Sequence, residues 1–190
     1  MESSLSQHSS LPPFNVCSLE NSTMIKLAIL ALVTTITTST AIAVPQASPM
    51  IGGINVYCQL PNGMTVYTDL AVMNDVARAG TQPYPMPPGF IPMIYLNPQA
   101  MPLLPPPVQL FIYGHECMHH RLGHTLGNIN LSMEVDADCT AVQLLKSQGL
   151  LDANTTQLVA SFFQNNPPMP PFYPSGPERA QRILMCFNEG

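Results

Sequence analysis

Four of the five histidines fall within "HECMHHRLGH", residues 115–124, and Glu116 stands beside the first of them. Only 9% of the chain is charged, so this concentration of ionisable groups needs a reason. It is either the wet face of a helix or a metal site. The stretch from Val108 to Gly123 contains no proline and reads as a helix, on which residues four apart share a face. His115 and His119 therefore point the same way. Two imidazoles at that spacing can hold one zinc ion, with Glu116 one position round and within reach of a water beside it. Zinc draws the pKa of such a water toward neutrality. Glu116 could then act as general base and return the proton to a leaving amine.

The five-residue pattern alone is a weak signal, because a third protein ligand is needed. His124 is one candidate. The metzincin pattern would require glycine at 122 and histidine at 125, and the chain has Leu122 and Thr125 there. Glu134 is the other, in "LSMEVDADCTAVQLLKSQG" (131–149), which reads as a helix capped by Ser132 and ended by Gly149. Glu134 and Asp138 share a face of that helix. An acidic pair is often only solvated, but this one follows a two-histidine helix closely enough for a turn and an antiparallel return. The spacing favours a zinc site built from His115, His119 and Glu134.

"HECMH" followed by "EVDADCTA" resembles the gluzincin metallopeptidases, in particular the CAAX prenyl protease group and the small soluble minigluzincins related to it. The resemblance implies a zincin-like fold, bound Zn2+, Glu134 as third ligand and Asp138 as a carboxylate accepting a hydrogen bond from a ligand imidazole. Ligating histidines nearly always have their other nitrogen fixed in this way. In the same families a His-Pro pair precedes a C-terminal arginine. Here "YPSGPER" puts Tyr173 at the place of that histidine and Arg179 six positions on. Tyr173 is then either a donor to the developing oxyanion or a loop aromatic. The chain lacks the transmembrane helices of the membrane-bound members, so their substrates are not carried over.

The elements that must position these residues give an α+β expectation: a mainly helical zincin-like domain with a small N-terminal hairpin and edge-strand region. Residues 1–23 show no apolar periodicity and read as a disordered extension. Residues 24–43 have Lys26, a short apolar run and "AIA" ending at Ala43, the layout of a signal peptide. Met24 could be the true start. The apolar run falls well short of the roughly 20 residues of a spanning helix, so no stable membrane anchor is expected. Residues 44–190 then form one metallopeptidase domain, secreted or periplasmic.

Within it, 54–68 read as a hairpin around Pro61-Asn62-Gly63, and 69–80 as a short helix with Leu70, Met73, Val76 and Ala77 on one face. Residues 83–107 hold ten prolines. In them, "GFIPMIYLNP" (89–98) reads as an extended edge segment. A closing helix follows Tyr173, with Ser175 and Glu178 as a capping box and Pro177 in its first turn.

Cys58, Cys117, Cys139 and Cys186 remain after export, an even number that suggests two disulfides. Cys117 lies about 200° round the helix from His115 at roughly 100° per residue, so it points away from the metal. Cys139 is likewise turned off the Glu134–Asp138 face. A Cys117–Cys139 bridge stapling the two site helices, with Cys58–Cys186 closing the domain, is the expected pairing. His120 reads as structural or exposed. His124 reads as a helix-end residue, where a cation suits the dipole.

The net charge is −5 and no basic stripe is present, which argues against nucleic acid as a partner. The expected partner is a peptide or unfolded protein, laid as an added strand along Ile91–Asn97. The expected activity is peptide-bond hydrolysis. The alternative is a non-catalytic, zinc-stabilised binding or chaperone-like module on the same fold.

Overall fold

A computed structural model describes residues 45–126, 130–165 and 173–189. The expected extension (1–23) and signal segment (24–43) lie outside the described residues. The chain is α+β and mainly helical. No helix among the described residues is long and apolar enough to cross a membrane.

A two-stranded antiparallel ribbon, β1 (Met50–Ile51) and β2 (Ile54–Asn55), precedes a four-stranded sheet. That sheet contains β3 (Cys58–Gln59), β4 (Thr65–Leu70), β5 (Ala77–Pro83) and β6 (Phe90–Leu96), in the order β3-β4-β6-β5. The β3–β4 hairpin turns through Pro61-Asn62-Gly63 as expected. Gly63 adopts φ 85°, a conformation that favours glycine.

Two sequence expectations fail in this region. Residues 69–80 are not a helix, because β4 runs to Leu70 and β5 begins at Ala77. Val72, in the connection, is 73% exposed. Ala77 and Ala79 are buried while Arg78 is exposed, the period-two alternation of a strand. Residues 89–98 are not at the edge either. β6 pairs in parallel with β4 and antiparallel with β5, which places β5 at one edge of the sheet among the described residues.

α1 (Pro106–Arg121) starts on two prolines, which the first helical turn accepts because its N–H groups have no intrahelical partner. Every residue from Leu110 to His120 is buried. A helix covered all round is a central rod, and α1 packs against β5, α2 (Leu131–Ser147) and α3 (Ala153–Gln164). At Gly114 an added Cβ would lie 3.4 Å from Leu145 and 3.7 Å from Ala141, so α1 and α2 approach closely there. The α2 cap is Asn130, whose side chain accepts the Met133 N–H, in place of the expected Ser132. Gly149 follows the end of α2 at φ 69°, as expected.

α3 has an Asp152–Thr155 capping box. α4 (Gly176–Glu189) has the expected box: the Ser175 N–H donates to Glu178 Oε2 at 3.0 Å, and the Glu178 N–H to Ser175 Oγ at 3.4 Å.

Both disulfides form, with different partners from those expected. Cys58 bonds Cys117, and Cys139 bonds Cys186. The reason lies in the helix rotation that keeps Cys117 off the metal. The His115 face of α1 is the one turned to α2, so a cysteine on the opposite side faces β3 and meets Cys58. Cys139, turned off the Glu134–Asp138 face, meets α4 at Cys186. The Cα–Cα separations are 5.8 and 5.1 Å, inside the range a disulfide spans.

Candidate metal centre

The helical spacing works as the sequence implies. His115 and His119 project from one face of α1, and Glu134 reaches them from α2. His115 Nε2 lies 2.9 Å from His119 Nε2 and 3.2 Å from Glu134 Oε2, and His119 Nε2 lies 3.4 Å from Glu134 Oε1. A zinc ion bonded at 2.0–2.1 Å in tetrahedral geometry separates its ligand atoms by roughly 3.3 Å. The three groups are therefore spaced for one ion.

All three are buried, with His115 3%, His119 2% and Glu134 1% exposed. Among the described residues neither Glu134 oxygen has a hydrogen-bond partner, and the nearest polar groups are the two imidazoles at 3.2 and 3.4 Å. Leaving a buried carboxylate unsatisfied costs far more than a neutral group, so such atoms in a folded protein call for a charge partner. A cation shared by these donors fits that requirement. His115, His119 and Glu134 form a buried group able to hold a metal ion.

The surrounding groups orient the donors. His115 Nδ1 lies 2.8 Å from Asp138 Oδ1, so this ring directs Nε2 at Glu134. Arg179 from α4 donates to both Asp138 oxygens, through Nε at 2.9 Å and Nη2 at 2.7 Å, a bidentate pairing. The Arg179 guanidinium also stacks 4.1 Å over the Phe163 ring of α3. Thus α4 and α3 together fix the carboxylate that fixes the ligand.

Burial alone would raise the Asp138 carboxyl, but the charges of Arg179 and His115 override it and hold it at about 2. Burial would also raise Glu134, and the two nearby imidazoles bring it down to about 2. For His115 burial works downward. Asp138, by charge and hydrogen bond, and the approach of Glu134 more than compensate, and its pKa rises to about 9.

Glu116 turns toward the sheet, where its Oε2 accepts the Ala79 N–H of β5 at 2.6 Å. It lines a cavity of ≈ 260 Å³ together with His115, Tyr173 and Arg179. The rest of the wall is largely apolar, including Val76, Ile112, Phe162 and Phe163. Tyr173, in the loop before α4, thus lines the same cavity as His115 and Glu116. Its hydroxyl is pushed up by burial and then by the negative charges of Glu134 and Glu116.

The remaining histidines differ from expectation in one case. His120 is buried and structural, with Nε2 2.8 Å from the Met93 carbonyl of β6. His124 does follow the helix end, but burial disfavours its charged form there. It is 7% exposed, and its Nδ1 lies 3.1 Å from His119 Nδ1.

The sequence reading missed α3 as a separate element and with it the Phe163 support for Arg179. The Asp152–Thr155 box, followed by Val159, Ala160 and Phe163 at helical spacing, was the available signal. Comparisons of the chain with protein-family models, with curated proteins and with solved structures find no match.

Proposed function

We propose that this chain is an exported zinc-dependent metallopeptidase of gluzincin type, acting on peptides or unfolded protein. The observation that carries the reading is the conjunction at one cavity wall. His115, one of three buried donors spaced for a single ion, lines the same cavity as the neighbouring carboxylate of Glu116. The resemblance of HECMH and EVDADCTA to the gluzincins supports it, and the two disulfides agree with an oxidising compartment. His115, His119 and Glu134 would hold the ion, which when bound supplies Lewis acidity toward a peptide carbonyl and acidifies a nearby water.

The chain's own residues do the rest. Glu116 accepts a proton from that water and returns it to the leaving amine. Tyr173, kept in its protonated form, donates a hydrogen bond to the carbonyl oxygen as charge develops there. Asp138 and Arg179 keep His115 oriented. The outer edge of β5 takes the substrate as an added strand, in place of the interior segment Ile91–Asn97. The Ala79 N–H, which points away from β6, is already held by Glu116 and anchors that carboxylate beside the strand.

The test is metal content of the purified mature chain, with hydrolysis of a fluorescently labelled unfolded protein before and after chelation. Wild type should carry about one zinc and lose activity on chelation. Glu116→Gln should keep the metal and lose hydrolysis, a loss of 10²-fold or more on the scale of general-base removal. A fully active Glu116→Gln would sink the mechanism. Stoichiometric zinc with no hydrolysis by either protein would favour the non-catalytic, zinc-stabilised module.

A further inference from the structure

Each ligand histidine needs its second nitrogen fixed if the first is to meet a metal. Asp138 does this for His115, and among the described residues no carboxylate does it for His119. The group at His119 Nδ1 is the ring of His124, 3.1 Å away, with ring centroids 5.3 Å apart and planes inclined at 64°. The backbone brings it there. α1 ends at Arg121 with Leu122 as its cap, Gly123 takes φ 76°, and a single 3-10 turn at His124–Leu126 brings His124 beneath the helix end. An added Cβ at Gly123 would meet nothing within 4 Å. Glycine is favoured there by the backbone angle and not by lack of room.

Two facing Nδ1 atoms can share only one proton, and its position decides what His119 can do. If His124 donated it, the only N–H of a neutral His119 would sit on Nε2, aimed at His115 Nε2 2.9 Å away. That tautomer cannot ligate. If His119 donates, its Nε2 presents a lone pair toward His115 and Glu134. We propose that His124 is a positioning residue for the metal centre, the Nδ1 acceptor that selects the ligating tautomer of His119. Its neutrality matters as well. Glu134 is the donor carboxylate and Asp138 is matched by Arg179, so an imidazole here adds no further negative charge to dampen the Lewis acidity of the ion.

This inference rests on the metal-centre reading, and its test separates the two. His124→Leu removes the acceptor at similar bulk. His124→Asn keeps one, because Oδ1 branches from the same carbon position as the imidazole Nδ1. Zinc affinity is measured by competition with a chromophoric chelator, and ligand geometry by the visible spectrum of the cobalt-substituted protein, with circular dichroism as the check on folding. The leucine variant should bind about 10–100-fold more weakly, the range for losing such a support, with an altered cobalt spectrum. The asparagine variant should recover both. If wild type binds the metal and the leucine variant matches it, the assignment of His124 fails alone. Equal losses in both variants would also overturn it, since bulk and not an acceptor would then matter. A wild type that takes up neither metal removes the centre and this inference together.

Discussion

His115 stands between two carboxylates, with Nδ1 2.8 Å from Asp138 and Nε2 3.2 Å from Glu134. The groups around it are Asp138 and Glu134 from α2, His119 from its own helix and Arg179 from α4, of which Arg179 works against protonation. Without an ion the carboxylates dominate, and the ring keeps its second proton to about pH 9. A folded pKa above the unfolded value of about 6.5 stabilises the protein fully below pH 6.5, and that stability is lost as pH rises toward 9. A bound metal takes the place of the same proton. Chelated protein should therefore lose thermal stability between pH 6.5 and 9, while its apparent zinc affinity rises over that interval. Melting curves in chelator and zinc titrations at three pH values check this. A flat profile in chelator would mean the cradle does not hold a charged His115. Direct and indirect roles also separate by substitution. Glu134→Ala should lose zinc almost completely and Asp138→Ala about 10–100-fold, and equal effects in a titration would put Asp138 among the direct ligands.

The site exists because α1 and α2 pack closely, and that closeness depends on Gly114. Its missing Cβ leaves room beside Leu145 and Ala141. A single methyl fits at ordinary contact distance, so Gly114→Ala should fold with metal affinity intact and gain about 0.5–1 kcal/mol from helix propensity. Gly114→Val should push α2 off α1, carrying Glu134 from the histidines, and lose metal before it loses helix content. Thermal unfolding beside zinc titration distinguishes these, and a metal-competent valine variant would show that the crossing is not what sets the site.

Much of this level is legible in the sequence: the two site helices, the shared face of His115 and His119, the pairing of Glu134 with Asp138, and the closing cap. What escapes depends on tertiary context. Ala77 and Ala79 have weak strand preference and are strand residues because α1 covers them. Pro92 suggests an edge strand, yet β6 is interior. The β4 ladder reaches β6 only from Met93 onward, so Pro92 lies beyond it and lacks no partner there. On the other side, the Ala79 N–H goes to Glu116, so Ala79–Ile94 and, two residues on, Thr81–Pro92 are pairs without ladder hydrogen bonds. A missing N–H at Pro92 breaks nothing.

Three links run through the whole molecule in series. Cys58–Cys117 joins β3 to α1, a metal ion held by His115, His119 and Glu134 would join α1 to α2, and Cys139–Cys186 joins α2 to α4. The disulfides close segments with sequence separations of 59 and 47. Loop-closure entropy assigns such loops about 4 kcal/mol each, and removal typically costs about 2–4 kcal/mol. At 2–4 °C per kcal/mol for a chain of this size, each double alanine variant should melt roughly 5–15 °C lower. Their effects on the metal should differ. β3 carries no ligand, so Cys58→Ala with Cys117→Ala should weaken the fold and leave zinc affinity close to wild type. α4 carries Arg179, which holds Asp138 against His115. Cys139→Ala with Cys186→Ala should therefore lower stability and zinc affinity together. The comparison is made at a temperature where both variants are folded by circular dichroism, with the same zinc titration for each. Equal zinc affinities in the two variants would mean that packing of Arg179 over Phe163 positions α4 unaided, and the series of links would then carry stability alone.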